Sequence, residues 1–143
     1  MIGSVLVHVA GSRLAFTRLD LNGRGLESPT GKYSLLELPS SPSVVGERAR
    51  TMLSLPETRV PDDEQLRRFY YRQVAELLNL GDVDLLDVSP HLFVSVLRSG
   101  VKVSFVSRRT PRSKMGSTLV ATLPLDVSDD DLGGVILAHL ADD

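Results

Sequence analysis

The chain has 143 residues, 42% of them hydrophobic, carries a formal net charge of −2, and contains neither cysteine nor tryptophan. That length and apolar content suffice for one domain with a buried core, so residues 1–143 are expected to fold as a single unit. The lack of cysteine excludes disulfides, thiolate catalysis and Cys-ligated zinc together, and it fits a reducing compartment, with the cytosol as the default location.

The first residues lack a basic region and His8 interrupts their short apolar run, so neither a secretory signal peptide nor a membrane span of about 20 residues is expected. Residues 4–9 and 13–19 both read as extended, and Ala10-Gly11-Ser12 between them predicts a hairpin turn. Asn22-Gly23-Arg24-Gly25 and Ser28-Pro29-Thr30-Gly31 predict a loop, followed by a short extended run over 33–38. Gly23-Arg24-Gly25 suggests a phosphate loop, but no helix opens behind it to aim a macrodipole at an anion, so that reading is set aside.

Pro39-Ser40-Ser41-Pro42-Ser43 punctuates the chain and predicts a helix over 44–53, capped by Ser43 or Ser41, whose hydroxyl would accept from a first-turn amide. Val45, Ala49, Met52 and Leu53 form its expected buried stripe. A longer helix is expected over 62–79, opened by Pro61-Asp62-Asp63-Glu64 and closed near Gly81. Its expected stripe is Leu66, Phe69, Tyr70, Gln73, Val74, Leu77 and Leu78, with Arg67, Arg68, Arg72 and Glu76 facing water.

Beyond Gly81 the apolar pattern takes the period of strands. Runs over 83–88, 92–97 and 101–106 are separated by Ser89-Pro90-His91 and by Arg98-Ser99-Gly100, and the tight-turn signal Ser99-Gly100 predicts an antiparallel hairpin. Residues 107–117 have no apolar period and are expected to form an exposed loop. A half-buried strand over 118–123 then leads through Pro124 to a last helix with an acid-rich start. The expected fold is one α+β domain: a mostly antiparallel sheet of at least three strands, with about three helices covering one face.

Catalytic content is thin, because the three histidines, His8, His91 and His139, lie far apart in sequence. Ser89-Pro90-His91 could supply a nucleophile and base for a small hydrolase, but no third, orienting group can be named, and His91 reads as a turn residue. Asp129, Asp130 and Asp131 could hold a hard cation. Ser128 before them is a good N-cap, however, and acidic side chains suit a helix's first turn, so capping is the preferred reading and no metal or cofactor is expected. Gly133-Gly134 within that helix costs about 1 kcal/mol per glycine relative to alanine, which close packing of the helix on the sheet would offset.

The charges are segregated along the chain. Residues 88–125 hold no Asp or Glu but contain Arg98, Lys102, Arg108, Arg109, Arg112 and Lys114, whereas the stretch from Asp126 onward is acidic with no Lys or Arg. Such asymmetry can steer and orient a charged partner. Arg108, Arg109, Arg112 and Lys114 could bind phosphates or pair bidentately with carboxylates. They lack the interleaved aromatics of single-strand binders, and a sequence pI of ≈ 5.9 argues against a general nucleic-acid protein. A protein partner is preferred, with a phosphate- or RNA-binding accessory domain built on 108–114 as the alternative.

Residues 123–140 contain Asp126-Val127-Ser128-Asp129-Asp130-Asp131-Leu132-Gly133, and residues 44–53 contain Gly46-Glu47 with Leu53 six positions beyond Glu47. The first resembles the closing strand and D-x-S-D-x-x-L-G helix of bacterial contact-dependent growth-inhibition (CDI) immunity proteins. The second is similar to an earlier G-E-x-x-x-x-x-L helix of that family, and together they cover about a fifth of the chain. The resemblance implies a cytosolic, non-enzymatic protein that binds a cognate toxin domain, commonly a nuclease, delivered by a neighbouring cell. It implies that Asp126, Ser128, Leu132 and Gly133 hold the fold, leaving recognition to charged surfaces. Against a basic toxin the expected contacts are Asp62, Asp63, Glu64, Asp82, Asp84 and Asp87; against an acidic metal site they are Arg108, Arg109, Arg112 and Lys114. An exposed edge strand, such as the one starting at Ser4, could pair with a partner or form a homodimer.

Overall fold

The computed structural model describes residues 3–80, 91–106 and 117–140. The hairpin expected at the start is present: β1 (Gly3–Ala10) pairs antiparallel with β2 (Arg13–Leu21), turning where Gly11 adopts φ +57°. β3 (Glu27–Glu37) returns along β2 and is longer than the run expected over 33–38. Ser28-Pro29-Thr30-Gly31, read as loop, belongs to this strand, with Pro29 opposite Leu19. Two features absorb these turn-like residues: β3 lies at an edge of the sheet, where proline is tolerated, and the β2–β3 register shifts between Thr17 and Leu19.

β4 (His91–Leu97) and β5 (Gly100–Val106) form the second expected hairpin, and β6 (Ser117–Leu123) pairs with β5. The tight turn is Arg98-Ser99, one residue earlier than Ser99-Gly100, since Leu97 pairs with Gly100. Gly100 has φ +149°, and a Cβ there would stand 2.4 Å from the Leu123 carbonyl oxygen, so the position demands glycine twice over. The six strands run in the order β3-β2-β1-β4-β5-β6, all neighbours antiparallel. This corrects the expectation of an edge strand at Ser4: β1 is central, with both its sides hydrogen-bonded, because β4 returns to pair with it across the first hairpin.

Among the described residues three helices complete the architecture, each opened by the residue type that its sequence announces. Ser41, not Ser43, caps α1 (Pro42–Leu53), its Oγ accepting from the Val44 amide at 3.3 Å. Asp63 caps α2 (Glu64–Leu77) by accepting from the Leu66 amide at 3.1 Å. Ser128 caps α3 (Asp129–Leu140) through the Asp131 amide at 3.0 Å, so the aspartate run sits in the first turn as the dipole favours.

The helices cover both faces of the sheet, not one. On the first face α1 and α3 bury Val5, Val7, Leu14, Phe16, Leu92, Val94, Val101 and Val103 beneath Val45, Ala49, Met52, Leu53, Leu132 and Ile136. On the second, α2 lays Tyr71, Val74, Ala75 and Leu78 over Leu6, Ala15 and Leu19. β2 is therefore buried on both sides over most of its length. The α1 stripe is as expected, but the α2 stripe is rotated: Tyr71 and Ala75 point inward, while Phe69 is 59% exposed. Its apolar residues run nearly around the helix, so periodicity alone left the inward direction open.

Gly133 explains the glycine pair differently from the sheet packing expected. α3 crosses α1 so closely that a Cβ on Gly133 would lie 1.7 Å from the Pro42 carbonyl oxygen, and one on Gly46 would lie 1.8 Å from that of Asp129. A Cβ on Gly134 would meet nothing within 4 Å. Arg50 pins the same junction, pairing with Asp129 at 2.7 Å and donating from Nη2 to the Val127 carbonyl. Of the four residues that the resemblance marked as structural, Leu132 and Gly133 are buried and Ser128 caps, while Asp126 is exposed. The run expected over 83–88 lies outside the described residues, as does the loop read over 107–117, apart from Ser117, which opens β6.

Candidate partner-binding site

The site is positioned by a buried ion pair. Arg18 lies in β2 two and four residues from Phe16 and Leu14, which puts it on the α1 face. It is fully buried, as is its partner Asp20 at 5% exposure, and Nη2 meets Oδ1 at 2.8 Å. Nη1 donates to the carbonyls of Met52 and Leu53 at 2.8 and 2.9 Å, completing the C-terminal end of α1, where carbonyls lack helical partners. Asp20 Oδ2 accepts from the Thr58 amide at 2.9 Å, tethering the chain after α1 to the end of β2. A few residues on, Val60 forms a parallel bridge with Asn22. Together these contacts deliver the start of α2 to the β2–β3 turn.

At that junction a groove opens, lined by Asn22, Arg24, Leu26, Glu27, Ser28, Asp62, Asp63, Glu64 and Arg67. Four carboxylates face two arginines, and its balance is acidic. Arg24 reaches Asp62 at 3.0 Å, and Glu64 takes Arg68 at 3.1 Å and Arg67 at 4.0 Å. These pairs are solvent-exposed and contribute at most about 1 kcal/mol each. The Gly23-Arg24-Gly25 turn offers no phosphate cradle, because Asn22 Oδ1 accepts from the amides of Arg24 and Leu26 at 2.9 and 3.1 Å.

Glu27 is the carboxylate of the groove most withdrawn from water. Burial raises its pKa above the ordinary 4.5, and the Ser4 hydroxyl, donating to Oε1 at 3.2 Å, offsets that only in part. A raised folded-state pKa means that the folded protein binds the proton more tightly. This contribution to stability is therefore full below 4.5 and is lost as pH rises through the raised value. Replacing Glu27→Gln is expected to give a protein more stable than wild type at neutral pH, with the advantage vanishing toward about pH 4. Urea titrations of both proteins across that range measure the difference.

Of the residues read as partner contacts, Asp62, Asp63 and Glu64 come together here, on one rim of the groove. Asp82, Asp84 and Asp87, and Arg108, Arg109, Arg112 and Lys114, lie outside the described residues. So do Ser89 and Pro90; His91 is not a turn residue but opens β4, its backbone opposite His8. Among the described residues no group of three or more His, Asp or Glu is placed to hold a metal ion, and no helix is long and apolar enough to cross a membrane.

No family profile and no curated protein matches the sequence. Solved structures do match. A chain of the CdiA-CT/CdiI toxin and immunity complex from Yersinia pseudotuberculosis superposes with a TM-score of 0.72 at 13% identity, covering 97% of this chain and 95% of that one. The chain has a CDI immunity-like fold. A protein of unknown function from Neisseria meningitidis is similar over 98% of this chain and 94% of its own, with a TM-score of 0.67 at 16% identity. Within the CDI immunity-like fold, the two stretches that carried the resemblance prove to be neighbours, since 44–53 and 123–140 supply the α1–α3 crossing at Gly46 and Gly133.

Proposed function

We propose that this protein is an immunity protein that binds and neutralises one cognate toxin domain, commonly a nuclease in such systems, delivered by contact-dependent growth inhibition into the cytosol. The observation that carries the reading is the full-length likeness to a chain of a toxin and immunity complex. The groove at the start of α2 is the surface we assign to a basic toxin face, and Asp82, Asp84 and Asp87 stay candidates for such contacts by their charge alone. Against a toxin with an acidic metal site, Arg108, Arg109, Arg112 and Lys114 take that part.

Co-expression with the C-terminal domain of a large secreted protein of the same host tests the reading. A complex at one-to-one stoichiometry that survives high salt, together with protection of the cells, is expected. A folded chain that neither binds nor protects against any such domain of its host overturns it. Binding to RNA that falls steeply with salt would favour the accessory-domain alternative instead.

The surface has its own test, chosen so that the fold is spared. Asp62→Asn, Asp63→Asn and Glu64→Gln together remove three charges, while asparagine still caps α2. Association with a basic toxin domain is expected to slow about tenfold at low salt with dissociation little changed, as read by stopped flow or surface plasmon resonance. An unchanged rate places the interface elsewhere, and Arg108→Glu, Arg109→Glu and Arg112→Glu in the same assay test the basic stretch.

A further inference from the structure

The two edges of the sheet are built differently. β3 carries the devices that keep an edge from pairing. Pro29 lacks a donor, Gly31 breaks the extended backbone at φ +83°, and Glu27, Lys32 and Glu37 place charges along the strand. Side chains also occupy its backbone groups: the Lys32 amide donates to Thr30 Oγ1 at 3.2 Å, and the Leu35 carbonyl accepts from Arg48 Nη1 at 2.9 Å.

β6, the other edge, has none of these, although its register with β5 shifts and leaves Val120 without a partner on that strand. Ser117-Thr118-Leu119-Val120-Ala121-Thr122-Leu123 holds no charge, no proline and no glycine. Among the described residues no side chain bonds to its backbone. Leu119, the third of its seven residues, stands 55% exposed.

We propose that β6 pairs antiparallel with β6 of a second copy of this chain, joining two sheets into one. A two-fold axis sets a strand antiparallel to itself, so the residue on the axis faces its own copy and residues equally far on either side of it face each other. On β3 that arrangement would bring Lys32, Glu27 and Glu37 close to like charges. On β6 there is no charge to repel, and the two Leu119 side chains lie close enough to cover one another, removing apolar surface from water. A seven-residue edge is smaller than a standard interface, so the dimer belongs in the micromolar range.

Sedimentation equilibrium of the purified full chain, up to about 0.5 mM, measures this directly. A monomer–dimer equilibrium is expected, weakened roughly tenfold or more by Leu119→Lys, which sets two charges against each other on the edge. Leu125→Lys, at an exposed apolar residue outside the strand, should leave it unchanged. Because the chain has no cysteine, Leu119→Cys gives a second reading that does not depend on the charged variant folding. Oxidation should cross-link two copies of it readily, and of Leu125→Cys poorly. A wild type that stays monomeric overturns the proposal, as does a dimer indifferent to Leu119→Lys or equal cross-linking from both cysteine variants. A monomeric wild type whose binding to a toxin domain is weakened by Leu119→Lys also overturns it, and assigns the edge to that partner.

Discussion

Gly133→Ala is expected to destabilise the protein by about 3 kcal/mol or more, while Gly134→Ala, one residue away, should stabilise it by up to about 1 kcal/mol. The added atom is a methyl group in both, and both sites are helical. What differs is the space. At 133 the methyl would overlap the Pro42 carbonyl oxygen and stand 2.8 Å from the Gly46 nitrogen, and these are backbone atoms that cannot rotate away. α3 would have to lift off α1, opening the core around Leu132, Val45 and Ala49. At 134 the methyl meets open space, and only the gain in helix propensity remains. Gly46→Ala should resemble Gly133→Ala, since its Cβ meets the Asp129 backbone from the other side. Urea denaturation of the three variants decides the matter; equal effects at 133 and 134 would mean that the helices are not in backbone contact.

Removing Asp20 should be the costliest change to a charged residue. Asp20→Ala removes the carboxylate paired with the buried Arg18 guanidinium and leaves the Thr58 amide without the acceptor it has in Asp20, and a loss of about 3–5 kcal/mol is expected. Combining it with Arg18→Met should recover part of that loss, because the buried charge is gone with its partner and the space is refilled with an apolar chain. Full recovery is not expected. The Met52 and Leu53 carbonyls would lose the Arg18 donor, and the Thr58 amide would lose its contact with Asp20. Denaturation midpoints of the two single variants and the double variant give the coupling. The same variants should weaken toxin binding even at temperatures where they are folded, if the groove at the start of α2 is the contact.

Much of this fold can be read residue by residue from local pattern. The two hairpins announce themselves by turn residues between β-branched runs, and Ser41, Asp63 and Ser128 are cap residues ahead of helical periods. Such signals are legible because they act within a few residues, through φ, ψ and an adjacent amide. The part of the candidate site carried by Asp62, Asp63 and Glu64 was visible for the same reason, as a helix start rich in charge. Arg18 carries a legible signal as well: it shares the parity of Leu14 and Phe16, which marks it as facing the core. Phe69 was not legible, because an apolar residue on a helix with apolar positions on several sides has no local reason to face outward.

By itself, then, the sequence determined the helices to within a few residues and most of the described strands, though not the first half of β3, and that 44–53 and 123–140 are distinctive. It did not determine what lies beside what. That β1 is central, that helices sit on both faces, that β6 is left as an uncharged edge, and that Gly46 and Gly133 meet are outcomes of tertiary packing. The physical reason is range. Caps and turns are settled by atoms a few bonds apart, whereas strand order, helix facing and backbone contact are settled by which buried surfaces can be closed at once across the whole chain.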